Sequence, residues 1–139
     1  MKRMKIKIAI VSILSIFMMI GVLPLRLQAG SVPFELVIKV NEQGFFDANG
    51  KALGERVEIP KEQKIKLIFE HVGKPEEEHE FVLLFDSDEE ISSGMISSSN
   101  PNADIVFRTG EEGELYDVFC VVVDCDGMEH LIDLILVAT

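Results

Sequence analysis

The amino-acid sequence predicts an all-β domain, a sandwich of about seven short strands. Three observations lead to this class. Apolar and polar residues alternate over short runs, which is typical of half-buried strands. Turn residues recur about every ten positions, the spacing of successive strands in a sandwich. After the first thirty residues, no long stretch shows the apolar period of an amphipathic helix.

The strand candidates follow one another along the chain. The first covers residues 31–40, where Phe34, Leu36, Ile38 and Val40 alternate with more polar neighbours. Pro60 marks the turn between the next two runs, because proline favours turn positions over strand interiors. The remaining predicted strands are residues 55–60, 64–69, 81–85, 103–109, 114–123 and 131–137.

Two stretches between these runs are predicted to be loops. Residues 45–53 contain two phenylalanines and the dipeptide Asn49-Gly50, which favours a tight turn and therefore a loop or a small hairpin. Residues 86–102 form the longest polar stretch, and we expect a surface excursion there rather than a strand. A chain of 139 residues has room for one core of this kind, so we expect a single domain over residues 30–139.

The amino-terminal segment is predicted to be a signal peptide covering residues 1–29. It begins with a basic stretch, continues with residues 8–25, which are mostly apolar, and ends with small residues that allow cleavage after Ala29. Eighteen apolar residues are also about the minimum for an uncleaved membrane anchor. Pro24 and the small residues after it favour cleavage. We therefore expect an exported, periplasmic or extracellular protein with no membrane span after cleavage.

The charge of the mature chain is strongly acidic. The whole sequence has 13 Lys and Arg, 24 Asp and Glu and a formal charge of −11. The leader holds five of the cations and no acid, so its removal brings the formal charge near −16. We expect no nucleic-acid partner, because binding phosphates requires Lys and Arg on the surface. An acidic surface favours a basic partner protein, or simply keeps the domain soluble. We expect a monomer.

Potential metal ligands are concentrated near the carboxyl end. Cys120 closes a β-rich run, and Cys125, Met128 and His130 follow within the next ten residues. Thiolate, thioether and imidazole are the ligands that suit copper(I) or zinc. A soft metal site is one reading of this stretch, and His79, at the start of another strand, is the residue we expect to complete it.

With the strands placed, two stretches resemble the cupredoxin family of small exported copper proteins. Residues 58–69, followed by His79-Glu-Phe-Val-Leu83, are similar to the family's strand, turn, strand and first ligand histidine. Residues 113–120, Gly-Glu-Leu-Tyr-Asp-Val-Phe-Cys, are similar to its approach to the ligand cysteine. The resemblance covers nearly the whole mature chain and implies a Greek-key sandwich that binds one copper ion for electron transfer or copper handling.

The same resemblance implies the ligands. His79 matches the family's first histidine, Cys120 its thiolate and Met128 its weak axial thioether. The family's second histidine, however, lies between the cysteine and the methionine, where this chain has Cys125. His130 follows Met128, on the other side of it. The expected ligand set is therefore His79, Cys120, Cys125 and Met128.

The two cysteines have a second interpretation. A loop that brings both sulfurs to one ion would also bring them into disulfide range, and an exported protein meets oxidising conditions. Closing so short a loop would stabilise the fold by about 2 kcal/mol. A bound metal, a Cys120–Cys125 disulfide and an unliganded pair all remain open. The alternative function is a metal-free cupredoxin-like binding module with that disulfide.

The remaining candidates point to no further chemistry. A fourth ligand is one reading of His130, but we expect it to contact a ligand residue from outside or to be exposed. We expect His71 to have no chemical role, because it is far from the cysteines in sequence. The acidic runs lack the alternating oxygen ligands of a calcium loop. No catalytic triad, phosphate loop or glycosidase signature is present in the sequence, so we expect no enzyme activity.

Overall fold

The computed structural model describes residues 31–122 and 134–139. Within these two ranges the chain forms nine strands and no helix, so none of the described residues belongs to a helix able to cross a membrane. The predicted signal peptide lies outside the described residues. The strands are β1 Phe34–Asn41, β2 Gly44–Phe46, β3 Arg56–Ile59, β4 Lys64–His71, β5 Glu78–Leu84, β6 Glu90–Ser97, β7 Asn102–Arg108, β8 Leu115–Cys120 and β9 Leu134–Ala138.

The strands form two sheets, and this confirms the predicted all-β sandwich. One sheet has four strands in the order β2-β1-β4-β7, and the other has five in the order β3-β9-β8-β5-β6. The pairs β1-β4 and β3-β9 are parallel, and the other named pairs are antiparallel. Parallel neighbours require the chain to cross from one sheet to the other between them, as it does in a Greek-key sandwich.

The core lies between the sheets because the central strands bury every second residue. On β4 these residues are Ile65, Leu67 and Phe69, all fully buried, and on β5 Phe81 and Leu83 are fully buried as well. Side chains two apart on a strand share a face, so the period-two pattern of the sequence becomes one apolar layer. The innermost residues from the other strands include Ile38, Ile59, Ile96, Ile105, Val118, Leu134 and Leu136.

Two predicted elements differ from the structure. Residues 86–102 were expected to be a surface excursion, but they contain β6, so that prediction is wrong. β6 is an edge strand that pairs with β5; most of its residues are wholly or partly exposed, which explains the polar sequence. The strand predicted over residues 114–123 ends earlier, at Cys120, opposite Phe81 of β5.

Tyr116 packs at the end of the sandwich where β5 ends. The Tyr116 hydroxyl accepts a hydrogen bond from the Gly110 amide (2.8 Å) and donates one to Glu114 Oε2 (2.7 Å). Its ring packs against Phe85 and Phe107, with centroids 5.6 and 5.1 Å away. Burial raises the pKa of Tyr116, and the Gly110 hydrogen bond opposes part of that shift.

This environment predicts a pH dependence of stability. Because the pKa of Tyr116 is raised in the folded state, the unfolded chain loses this proton first, near its ordinary pKa of about 10. The free energy of unfolding therefore falls as pH rises above about 10. Tyr116→Phe removes this contribution, and at pH 7 it costs about 1 kcal/mol because the Gly110 amide loses its acceptor. Urea denaturation of both proteins at pH 8 and pH 11 measures the difference.

The two pH profiles must differ for this account to hold. We expect the gap in stability between wild type and Tyr116→Phe to narrow at pH 11, because the variant lacks the titrating hydroxyl. Parallel profiles would show that the Tyr116 environment does not contribute to alkaline unfolding.

Candidate metal centre

The end of the sandwich at the start of β5 continues the core with two histidines. Phe69 of β4 stacks on Phe81 of β5 across the two sheets, with ring centroids 4.6 Å apart. His71 is two residues after Phe69 on β4, and His79 is two residues before Phe81 on β5. Their rings lie 6.0 Å apart. The period of two that aligns the phenylalanines therefore also aligns the imidazoles, and the aromatic column ends in two nitrogen heterocycles.

His79 is held in the form that binds metals. Only 1% of its surface is exposed, and its ring stacks on Phe81 at 5.9 Å. Burial lowers the pKa of His79, and nearby Glu77 opposes that shift only in part. A neutral imidazole has a lone pair to donate, which a protonated one lacks.

Glu77 is a buried carboxylate next to this ring. It is 8% exposed, and its Oε2 lies 3.6 Å from His79 Nε2, close enough for attraction but too long for a hydrogen bond. The turn before β5 positions it through a hydrogen bond from the Glu77 amide to the Lys74 carbonyl (3.1 Å). Among the described residues neither carboxylate oxygen has a hydrogen-bond partner. Burying such a group is costly, so it requires an explanation.

Gly73 provides the space in which the carboxylate lies. A Cβ added at this position would overlap the Glu77 carboxylate, at 2.7 Å from its Cδ. Any other residue at position 73 would therefore push the Glu77 side chain out of its place.

Besides Glu77, sequence reasoning missed His71 as a functional candidate. The expectation that it has no part in the site rested on its distance from the cysteines in sequence, but the structure places it beside His79. One donor atom each from His71, Glu77 and His79 lies within 4.8 Å of the others. His71 Nε2 is buried and has no hydrogen-bond partner among the described residues. The available signal was its position two residues after Phe69, on the inward face of β4.

Cys120 approaches the same end of the sandwich from β8. It pairs directly with Phe81, and the ladder continues with a hydrogen bond from the Val121 amide to the Glu80 carbonyl (2.9 Å). Paired residues share a face, so Cys120 and His79 are diagonal neighbours, whose separation in a sheet is about 7–8 Å. The structure thus brings these two predicted ligand positions together.

The sulfur of Cys120 is disulfide-bonded, and the sequence has one other cysteine, Cys125. Cys125, Met128 and His130 lie outside the described residues, so the predicted positions of Cys125 and Met128 as ligands stay predictions.

A surface groove lies beside the buried cluster and shares Glu77 with it. It has a volume of about 290 Å³ and is lined by Asn41, Glu42, Gln43, Val72, Gly73, Lys74 and Glu77. An ion pair between Lys74 and Glu42 joins two of these lining residues. Glu77 belongs both to the lining of the groove and to the buried cluster, although both oxygens of its carboxylate are buried.

The architecture is similar to that of auracyanins. An auracyanin from the photosynthetic bacterium Roseiflexus castenholzii matches with a TM-score of 0.58 and 11% identity, over 78% of this chain and 98% of that one. Auracyanin B matches with a TM-score of 0.58 and 13% identity, over 78% and 91%. Auracyanin A of Chloroflexus aurantiacus, a "blue" copper protein, matches with a TM-score of 0.52 and 15% identity, over 76% and 99%.

The sequence itself matches no family model and no curated protein. At such low identities the similarity concerns the fold and not the ligands. By its two sheets and its structural neighbours, the described chain has the fold of a cupredoxin-like β-sandwich.

Proposed function

We propose that this domain is an exported copper protein that binds one copper ion through His79, Cys120, Cys125 and Met128, for electron transfer or copper handling and without enzyme activity of its own. The observation that carries the proposal is the pairing of β5 with β8. It makes His79 and Cys120 diagonal neighbours on one face, at one end of a rigid sandwich. Auracyanin A, a blue copper protein, has a similar fold.

The four proposed donors fit copper only when the two cysteines are reduced. Copper would supply a one-electron couple, and imidazole, thiolate and thioether are the donors that suit it. Cys120 is disulfide-bonded, and we assign Cys125, the other cysteine of the sequence, as its partner. A dithiol reductant must deliver two electrons and two protons to break that bond before either sulfur can bind as a thiolate. Copper loading is therefore expected to depend on prior reduction.

The second candidate is a metal-free binding module. The disulfide at Cys120 favours it, because an oxidised sulfur is no thiolate ligand. In this case the acidic surface would recognise a basic partner protein, since opposite charges speed encounter and select partners. The disulfide would then only cross-link the segment that follows β8.

Thiol titration and copper loading of the mature domain separate the two candidates. We expect no reactive thiol before reduction and two thiols per chain after it. The reduced protein should then bind one copper and show a thiolate-to-copper absorption band. Cys120→Ser is expected to abolish that band because it removes the thiolate. Met95→Leu, a change at a methionine that is 44% exposed on β6, is the control that should leave the band unchanged.

Two results would decide against the copper protein. One is a reduced domain that takes up no copper while remaining folded by circular dichroism, and this would favour the binding module. The other is copper uptake with an unchanged spectrum in Cys120→Ser, since the metal would then be held elsewhere.

A further inference from the structure

We propose that His71, Glu77 and His79 form a second metal site, one that needs no thiol and takes a divalent first-row transition-metal ion, with zinc as the ion it fits best. This site does not depend on Cys120 or on the residues that follow it. It therefore goes beyond the copper protein proposed above and can be tested while the disulfide is intact.

The distances are close to those of a bound ion. With metal–ligand bonds of about 2.0–2.2 Å and tetrahedral angles, two donors on one zinc lie about 3.3–3.5 Å apart. His79 Nε2 and Glu77 Oε2 are already 3.6 Å apart. All three donors lie within 4.8 Å of one another, so the cluster has to contract by about 1.3–1.5 Å at its widest. His71 is only partly buried and lies at the end of β4, where a side-chain rotation can close that gap.

The burial of the donors points to a ligand. The Glu77 side chain is 7% exposed, its oxygens have no hydrogen-bond partner among residues 31–122 and 134–139, and the buried Nε2 of His71 has none there either. A carboxylate withdrawn from water without hydrogen bonds is expensive unless a positive charge compensates it. A metal ion at the centre of the three donors supplies that charge and accepts a lone pair from each of them.

The types of donor identify the class of ion. Calcium and magnesium prefer oxygen ligands, whereas two imidazoles favour a transition metal. Two histidines and one carboxylate form a zinc site with an open fourth position in several hydrolytic enzymes. In such a site a water molecule completes the coordination. Gly73 keeps the carboxylate in reach, because a side chain at position 73 would displace it.

Zinc titration of the oxidised domain tests this proposal. The disulfide-bonded protein is titrated with zinc chloride at pH 7.5 in 0.2 M salt, by calorimetry and by equilibrium dialysis, and the absorption of bound cobalt(II) reports the coordination. We expect one zinc per chain and a cobalt spectrum of four- or five-fold coordination. Glu77→Gln and His71→Gln should each weaken binding at least about 10-fold, as much as the loss of an outer-shell group weakens typical sites.

Two further variants make the test specific. Glu78→Gln removes the neighbouring charge, which is exposed, and should leave the affinity within about 2-fold of wild type. Gly73→Ala retains every donor but displaces Glu77, so it should weaken zinc binding without changing the charge. Melting curves will identify any ligand variant that does not fold. In that case Gly73→Ala still tests the role of Glu77.

Each alternative outcome overturns the proposal. Absence of zinc binding by the folded, oxidised wild type would show that the cluster does not bind a metal. Equal losses in Glu77→Gln and Glu78→Gln would show that the acidic surface merely collects cations. Unchanged affinity in both His71→Gln and Glu77→Gln would place the ion elsewhere. None of these results affects the copper proposal, because the thiols stay oxidised throughout.

Discussion

Replacing His79 with glutamine is expected to weaken metal binding in both redox states of the protein, by well over the roughly 10–100-fold that loss of an outer-shell partner costs. His79 is the one residue that belongs to both proposed donor sets. Glutamine is similar in size and remains polar, so the buried position at the start of β5 stays filled. Zinc titration of the oxidised domain and copper titration of the reduced domain measure the two losses separately.

The pattern across three variants distinguishes a shared ligand from a general loss of structure. Cys120→Ser should reduce copper binding by the reduced protein only, Glu77→Gln should reduce zinc binding by the oxidised protein only, and His79→Gln should reduce both. Circular dichroism and melting temperature check that each variant is folded. Wild-type affinity for both metals in folded His79→Gln would remove the basis for both proposals.

The fold could be predicted well from the sequence because the central strands have a regular apolar pattern. β1 and β4, in the middle of their sheet, alternate apolar and polar residues, and the period of two is visible in a single sequence. β6 could not be predicted in this way. An edge strand is held by backbone hydrogen bonds to one neighbour and needs little apolar surface, so its serines and glutamates resemble those of a loop. Its pairing with β5 depends on the assembly of the whole sheet and leaves no pattern in the local sequence.

The candidate site was predictable only in part, and the missing part depends on the packing of two sheets. His79 and Cys120 follow strand patterns that resemble a known family, and the β5-β8 register brings them together. His71 and Glu77 carry no such local signal. His71 meets His79 because β4 and β5 face each other from different sheets, with Phe69 stacked on Phe81, whereas the turn before β5 positions Glu77. That contact between sheets cannot be read from local periodicity.

Phe81→Ala is expected to give the largest loss of stability, about 3–5 kcal/mol. Phe81 is fully buried, stacks on Phe69 at 4.6 Å and also packs against Phe45 at 5.6 Å. Removing its ring leaves a cavity between the sheets that these neighbours fill only partly. For a domain of this size such a loss lowers the melting temperature by roughly 12–40 °C. Urea denaturation measures the free energy of unfolding directly.

The same change should also disturb the metal centre, because Phe81 links the core to the ligands. Its ring lies against His79, and its backbone pairs with Cys120. Phe34→Ala, at a position that is 39% exposed on β1, is the control and should cost less than about 1 kcal/mol. If Phe81→Ala does not fold, Phe81→Leu replaces it. We expect a smaller loss of stability and weaker zinc binding by the oxidised domain, because the ring that packs against His79 is lost. A loss no greater than that of Phe34→Ala would show that this ring does not hold the sheets together, and the alignment of His71 with His79 would then need another explanation.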